Sequence, residues 1–166
     1  EGSRTSKGRA IQNLLQIETE DKIKAVICTQ DLKDEDYVNS HYVIMATKQG
    51  IVKKTSLEQY SRPRQSGINA ITVREGDELL EARLTTGSSQ IILGLKSGKA
   101  IRFEEGKTRP MGRNASGVRG ATLADDTDEV IGMVSVNNFD EHILVVSEKG
   151  YGKRSDLDDY RITNRG

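Results

Sequence analysis

Tryptophan is absent from this chain, cysteine occurs once and proline twice. A lone Cys28 excludes a disulfide framework and a thiolate zinc site within the chain. It ends the run Ile23-Lys24-Ala25-Val26-Ile27-Cys28 and reads as a passive strand residue. No apolar run approaches the ~18 residues that a membrane span needs, so no membrane partner is expected. No signal-peptide pattern is visible, and a reduced cytoplasmic setting is the expectation. Apolar residues make up 34% of the chain, little for one thick core but enough for thin stacked sheets. Net charge is also missing: 25 basic residues balance 25 acidic ones. Bulk charge therefore predicts no polyanion, and only the placement of charge carries information.

What is present is a repeat. Tyr42 to Gly50 leads into Ile51 to Lys54, Gln90 to Gly98 into Lys99 to Arg102, and His142 to Gly150 into Tyr151 to Arg154. The glycines are 48 and 52 residues apart, a period of the propeller kind, in which each unit buries its apolar face on its neighbours. Each unit reads as four short strands. In the clearest unit these are Tyr42 to Thr47, Ile51 to Thr55, Ile68 to Val73 and Glu78 to Leu84. The next unit copies them as Gln90 to Leu95, Ala100 to Phe103, Val118 to Leu123 and Val130 to Val134. The first strands are continuous apolar runs, as expected of strands covered on both faces. No segment settles into helical spacing.

The expected fold is therefore all-β, a propeller-like array of about three to four blades of four short antiparallel strands. Its boundaries are a partial blade at 1–40, blades at 41–88 and 89–140, and a partial blade at 141–166. Residues 8 to 27 read as the second half of a unit, and 142 to 166 as the first half of another. Such ends predict either self-association or a disc closed by joining the two half-units.

Cations recur in register. The fourth residue after each repeat glycine is Lys54, Arg102 or Arg154, and the third is Lys53, Ile101 or Lys153. Two residues before it stand Lys48, Lys96 and, out of pattern, Glu148. Matched positions on successive blades can form a curved track for phosphates, which requires charge and reach rather than base-reading geometry. The same cations also suit strand ends that must resist edge pairing. The loops after the second strands, Arg62 to Gly67, Arg109 to Gly117 and Arg161 to Gly166, are basic and Gly-flanked.

Several segments, in order, resemble the C-terminal domain of the gyrase A and topoisomerase IV A group. They are Gly8 to Leu15, Ala46 to Thr55, Arg74 to Leu79 and Tyr160 to Gly166. The resemblance implies a β-pinwheel whose basic rim binds and bends double-stranded DNA with little sequence preference. It implies a non-catalytic module of a bacterial type II topoisomerase, presenting DNA for ATP-dependent negative supercoiling. ATP and Mg²⁺ act elsewhere in that enzyme, so no cofactor is expected here. The B protein of gyrase is the implied partner in a heterotetramer, and the implied location is the bacterial cytoplasm, at the nucleoid. Expected phosphate contacts are Lys48, Lys53, Lys54, Arg62, Arg64, Lys96, Arg102, Arg113, Arg119, Lys153, Arg154 and Arg165. The group's box Gln-Arg-Arg-Gly-Gly-Lys-Gly is missing, and the basic loops carry only degenerate versions of it. DNA binding without full wrapping is thus one expectation.

No residue pattern supports catalysis. Tyr60 and Tyr160 sit at matched positions, as blade-packing residues do, and neither follows an arginine. Asp156 and Asp158 form only a lone carboxylate pair, and no metal site is expected. Two alternatives stay open: a protein-interaction propeller, for which the Trp-Asp signature is ruled out, and the equivalent topoisomerase IV domain.

Overall fold

A computed structural model describes residues 4–166 except 6, 14, 16 and 19. Among these residues nine strands form three antiparallel sheets: β1 (Tyr42–Thr47), β2 (Ile51–Ser56), β3 (Leu79–Thr85), β4 (Gln90–Leu95), β5 (Ala100–Glu104), β6 (Val118–Arg119), β7 (Val130–Val136), β8 (His142–Val146) and β9 (Gly152–Asp156). The sheet orders are β3-β1-β2-β6, β5-β4-β7 and β8-β9.

The hairpin β1–β2 turns at Gly50, with φ +80°. A Cβ there would also stand 2.6 Å from the Ala121 carbonyl oxygen, so the position needs glycine on two counts. The first strands of the first two units, β1 and β4, are covered on both faces, as their apolar runs predict, but β8 is not: Leu144, Val145 and Val146 are exposed, because no sheet among the described residues packs on them. Ile44, Ala46 and Val52 of the first sheet meet Ile91, Leu93, Phe103, Val130 and Met133 of the second. Val43 and Met45, on the opposite face of β1, pack against Ala25, Ile27, Leu32 and Val38. Ile92 and Val136 carry the stack on to Ile143 and Leu157 of the third unit. Full burial of each such side chain is worth about 1.5–3 kcal/mol.

One strand crosses between units. Val118 and Arg119 pair with Val52 and Ile51 of the preceding unit, not with their own. This occupies the free edge of β2 and leaves no ladder for residues 68–73, which were expected to form a strand beside it. That segment runs outside any ladder, and Thr72 bonds instead to Ala115 and Asn114 of the next unit. The crossing strand ends after two residues because Gly120 and Ala121 both donate to the Gly50 carbonyl. The sheets therefore do not coincide with the sequence repeats.

Three further expectations change. A short helix, α1 (Glu35–Ser40), forms where none was expected. Asp34 caps it by accepting from Asp36 and Tyr37 N–H, and Val38 anchors it; six residues are too few to show a helical period. Residues 23–28 keep strand-like alternation, with Ala25 and Ile27 turned inward, but pair with no strand among the described residues, and Cys28 is exposed. The β8–β9 sheet stays two-stranded among the described residues, so the half-units do not join into one blade.

Candidate nucleic-acid interface

The repeated cations of β2 and β5 point inward. Lys54 is 4% exposed. Its ammonium lies 2.9 Å from Glu105 Oε1 and 4.2 Å from the centre of the Tyr42 ring. Glu105 is fully buried and also accepts from Thr85 Oγ1 at 2.6 Å and Ser89 N–H at 3.1 Å. Arg102 is 5% exposed, and its bonds run to neutral acceptors. Its Nε donates to Gln90 Oε1 at 2.6 Å, and its Nη1 donates to the carbonyls of Leu157 at 2.5 Å and Tyr160 at 3.1 Å. In both cases the cation of one unit grips the turn that opens the next unit's loop. The expected phosphate track through Lys54 and Arg102 does not form, because both cations are consumed between units. Arg154, at the matched place on β9, is exposed, as is Lys153.

Lys53 is enclosed as well, donating to the Ala70 carbonyl at 2.5 Å and the Arg113 carbonyl at 2.7 Å. Burial first, and the charge of Arg113 second, pull its pKa from 10.5 to about 8. The unfolded chain therefore binds more protons than the folded one between pH 8 and 10.5, and stability rises with pH across that window. Below about pH 8 both states are protonated and the cost is constant. Urea unfolding at pH 7.5 to 10.5 should show the wild type gaining on Lys53→Ile, the residue found at the matched position 101. A pH-independent difference between the two would count against this assignment.

Lys48 and Lys96 stand at the hairpin turns, beside acids. Lys48 lies 2.8 Å from Glu78, which Lys24 also contacts, and Lys96 lies 3.7 Å from Glu129. The preceding aspartates hold the turns themselves. Asp77 accepts from Gln49 N–H, and Asp128 from the N–H groups of Ser97 and Ala124. The bond from Ala124 is the leading cause that holds the Asp128 carboxyl below its usual range. These two lysines are thus partly neutralised where they stand.

The remaining cations gather where the basic loops cross between units. Met111 N–H donates to the Lys54 carbonyl and Thr163 N–H to the Arg102 carbonyl, so each loop straps onto the preceding sheet. The first strap brings Arg113 to Arg62 and Arg64, and the three share a shallow cavity of about 390 Å³ with Glu58, Gln59 and Ile68. Gln59 Oε1 accepts from Arg113 N–H, and Arg113 Nη1 donates to the Asn69 carbonyl. Arg119 is exposed on β6, the edge strand of the first sheet opposite β3. The second strap places Arg165 on the carbonyls of Lys107 and Arg119, at 2.9 and 2.8 Å. Beside it, Lys107 and Arg161 line a cavity of about 500 Å³ with Glu104, Ile162, Thr163 and Asn164. The structure thus brings Arg62, Arg64 and Arg113 together, and joins Arg119 to Arg165. It adds Lys107 and Arg161, which were not among the expected contacts. Arg161 was visible in its basic loop, whereas Lys107 matches Gln59 in register and carried no signal.

Tyr60 donates its hydroxyl to the Ala70 carbonyl, and burial raises its pKa, so it is a packing residue. Among the described residues no cluster of His, Cys, Asp and Glu could hold a metal ion. No helix among them is long and apolar enough to cross a membrane.

The family model described as DNA gyrase C-terminal domain, beta-propeller, matches residues 41–86, 96–137 and 141–166. The DNA gyrase A protein of Staphylococcus aureus (strain NCTC 8325 / PS 47) is 44% identical over 166 residues, covering 99% of this chain and 18% of the relative. The protein of the same name from strain MRSA252 is also 44% identical with the same coverage. The chain thus spans about a fifth of the length of these curated relatives. A crystal structure of the C-terminal domain of DNA topoisomerase IV superposes with a TM-score of 0.84 at 27% identity, over 96% of this chain and 48% of that one. A DNA gyrase A C-terminal domain superposes with a TM-score of 0.82 at 24% identity, over 97% and 51%. By family match and by identity to its relatives, this chain belongs to the β-propeller family of DNA gyrase C-terminal domains.

Proposed function

We propose that this chain is a DNA-binding module with no catalytic chemistry of its own, working within a type II topoisomerase of the gyrase kind. It binds and bends a duplex along its straps, and the parent enzyme, with the gyrase B protein, uses the bent duplex for ATP-dependent negative supercoiling. The observation that carries this reading is the gathering of Arg62, Arg64 and Arg113 at one inter-unit strap and of Lys107, Arg161 and Arg165 at the other, with Arg119 exposed on β6, where its carbonyl accepts from Arg165. Loops rich in Arg reach phosphate oxygens readily, and contacts spaced by units follow a curved backbone. Bending a 20–30 base-pair site by 40–90° costs on the order of 1–6 kcal/mol, so several such contacts must act together. The acids that make the chain neutral overall include Asp77, Glu78, Asp128 and Glu129, which are committed to the hairpin turns and to Lys48 and Lys96.

Anisotropy titrations of a short duplex over a range of salt concentrations test the reading. Affinity should fall steeply with salt, and Arg119→Ala and Lys107→Ala should each flatten the slope of log K against log salt by about one unit. Sequence changes in the duplex should matter little. Absence of duplex binding at low salt would overturn the proposal.

A further inference from the structure

We infer that the notch formed by Arg62, Arg64 and Arg113 seats backbone phosphate, and that its occupancy is coupled to uptake of a proton by the buried Lys53. The inference rests on the DNA-binding reading and goes beyond it by assigning a proton to the contact. Its basis is geometric. The buried Lys53 ammonium is bonded to the main-chain carbonyl of Arg113, and Arg113 is one of the three arginines that line the cavity. The acceptors bonded to Lys53 are both main-chain carbonyls, and no carboxylate among the described residues pairs with it. The charged and titratable groups that face it are Arg113 from the strap and Tyr60, whose hydroxyl shares the Ala70 carbonyl, and the cavity that Arg113 lines adds Arg62, Arg64 and Glu58.

The direction of coupling follows from charge. Without a ligand, burial and Arg113 both oppose protonation, which is why Lys53 titrates near pH 8. A phosphate in the notch supplies the missing negative charge and offsets Arg113. The proton is then held more tightly in the complex, and binding takes one up from solvent over the pH range where free Lys53 is partly neutral. By linkage, affinity must fall as pH rises through that range. The repeat provides its own control. At the boundary of the second and third units, where Lys107 and Arg161 line the second cavity, the matched position is Ile101, which carries no proton to exchange.

Calorimetric titration with a short duplex at pH 8, in two buffers of different ionisation enthalpy, reads the proton directly. The wild type should take up a fraction of a proton, and its affinity should be about threefold to tenfold weaker at pH 9 than at pH 7. Lys53→Ile should bind the duplex with no such uptake and a flatter pH profile. The double variant Arg62→Ala/Arg64→Ala keeps Lys53 but weakens the seat, and should lose most of the uptake as well. Binding without uptake in the wild type, or equal uptake in Lys53→Ile, overturns the coupling and leaves the DNA reading intact. Failure of the wild type to bind the duplex in either buffer overturns both.

Discussion

Lys54→Met should destabilise the domain by about 3–5 kcal/mol, the cost typical of stranding one partner of a buried ion pair. The variant leaves the Glu105 carboxylate enclosed, with only Thr85 Oγ1 and Ser89 N–H as donors. Methionine fills much of the lysine volume, so the loss comes from charge rather than from a cavity. Adding Glu105→Leu should recover most of it. Leucine occupies the matched position in the other two units, as Leu57 and Leu157, and both are buried. Replacing a buried pair by well-packed apolar residues is often neutral or better. Chemical unfolding of the wild type, both single variants and the double variant closes the cycle. A loss under about 1 kcal/mol for Lys54→Met, or no recovery in the double variant, would show that the pair is not what joins these units.

That pair also shows what a sequence reveals and what it hides. The repeat glycines, the hairpins beside them and the double cover of β1 and β4 are local features, readable from turn chemistry and apolar runs, whereas the equally apolar β8 is exposed. The direction of the β2 side chains is not local. Residues Ile51 to Thr55 are all buried, so the strand has no solvent face, and adjacent lysines within it mimic an exposed edge. The one available clue was Glu105. An acid standing where two sister units carry leucine must either face water or meet a cation, and Lys54 is that cation.

The crossing strand was hidden for a related reason. Val118 and Arg119 could pair within their own unit or with the preceding one, and the sequence of a single unit does not distinguish these. The choice depends on Gly120 and Ala121 reaching the Gly50 carbonyl, a contact made only once the units are stacked. The basic loops were readable by composition, and Arg62, Arg64 and Arg113 do converge. Lys107 was not, because what places it at the site is its contact with Arg165, 58 residues further along the chain.

Arg102→Met should separate stability from DNA contact. The guanidinium is enclosed, and its removal leaves Gln90 Oε1 without its donor and takes one donor from the Leu157 and Tyr160 carbonyls, Leu157 keeping its bond from Tyr160 N–H. Buried acceptors left unmade cost about 1–3 kcal/mol each. Tyr160 is partly exposed and water can replace its bond, and Leu157 stays bonded to Tyr160 N–H, so the loss is chiefly that of Gln90 Oε1, about 1–3 kcal/mol. The folded variant should nevertheless keep the wild-type salt slope, because Arg102 releases no counterions on binding. Arg119→Ala should behave in the opposite way, with a flatter slope and stability within about 0.5 kcal/mol of the wild type, as for most surface changes. Paired measurements of unfolding and of salt-dependent binding on these two variants decide between a cation track along the strands and one along the straps. If Arg102→Met flattens the slope while Arg119→Ala does not, the duplex runs along the strands. The inter-unit bonds of Arg102 would then have to open for DNA to bind.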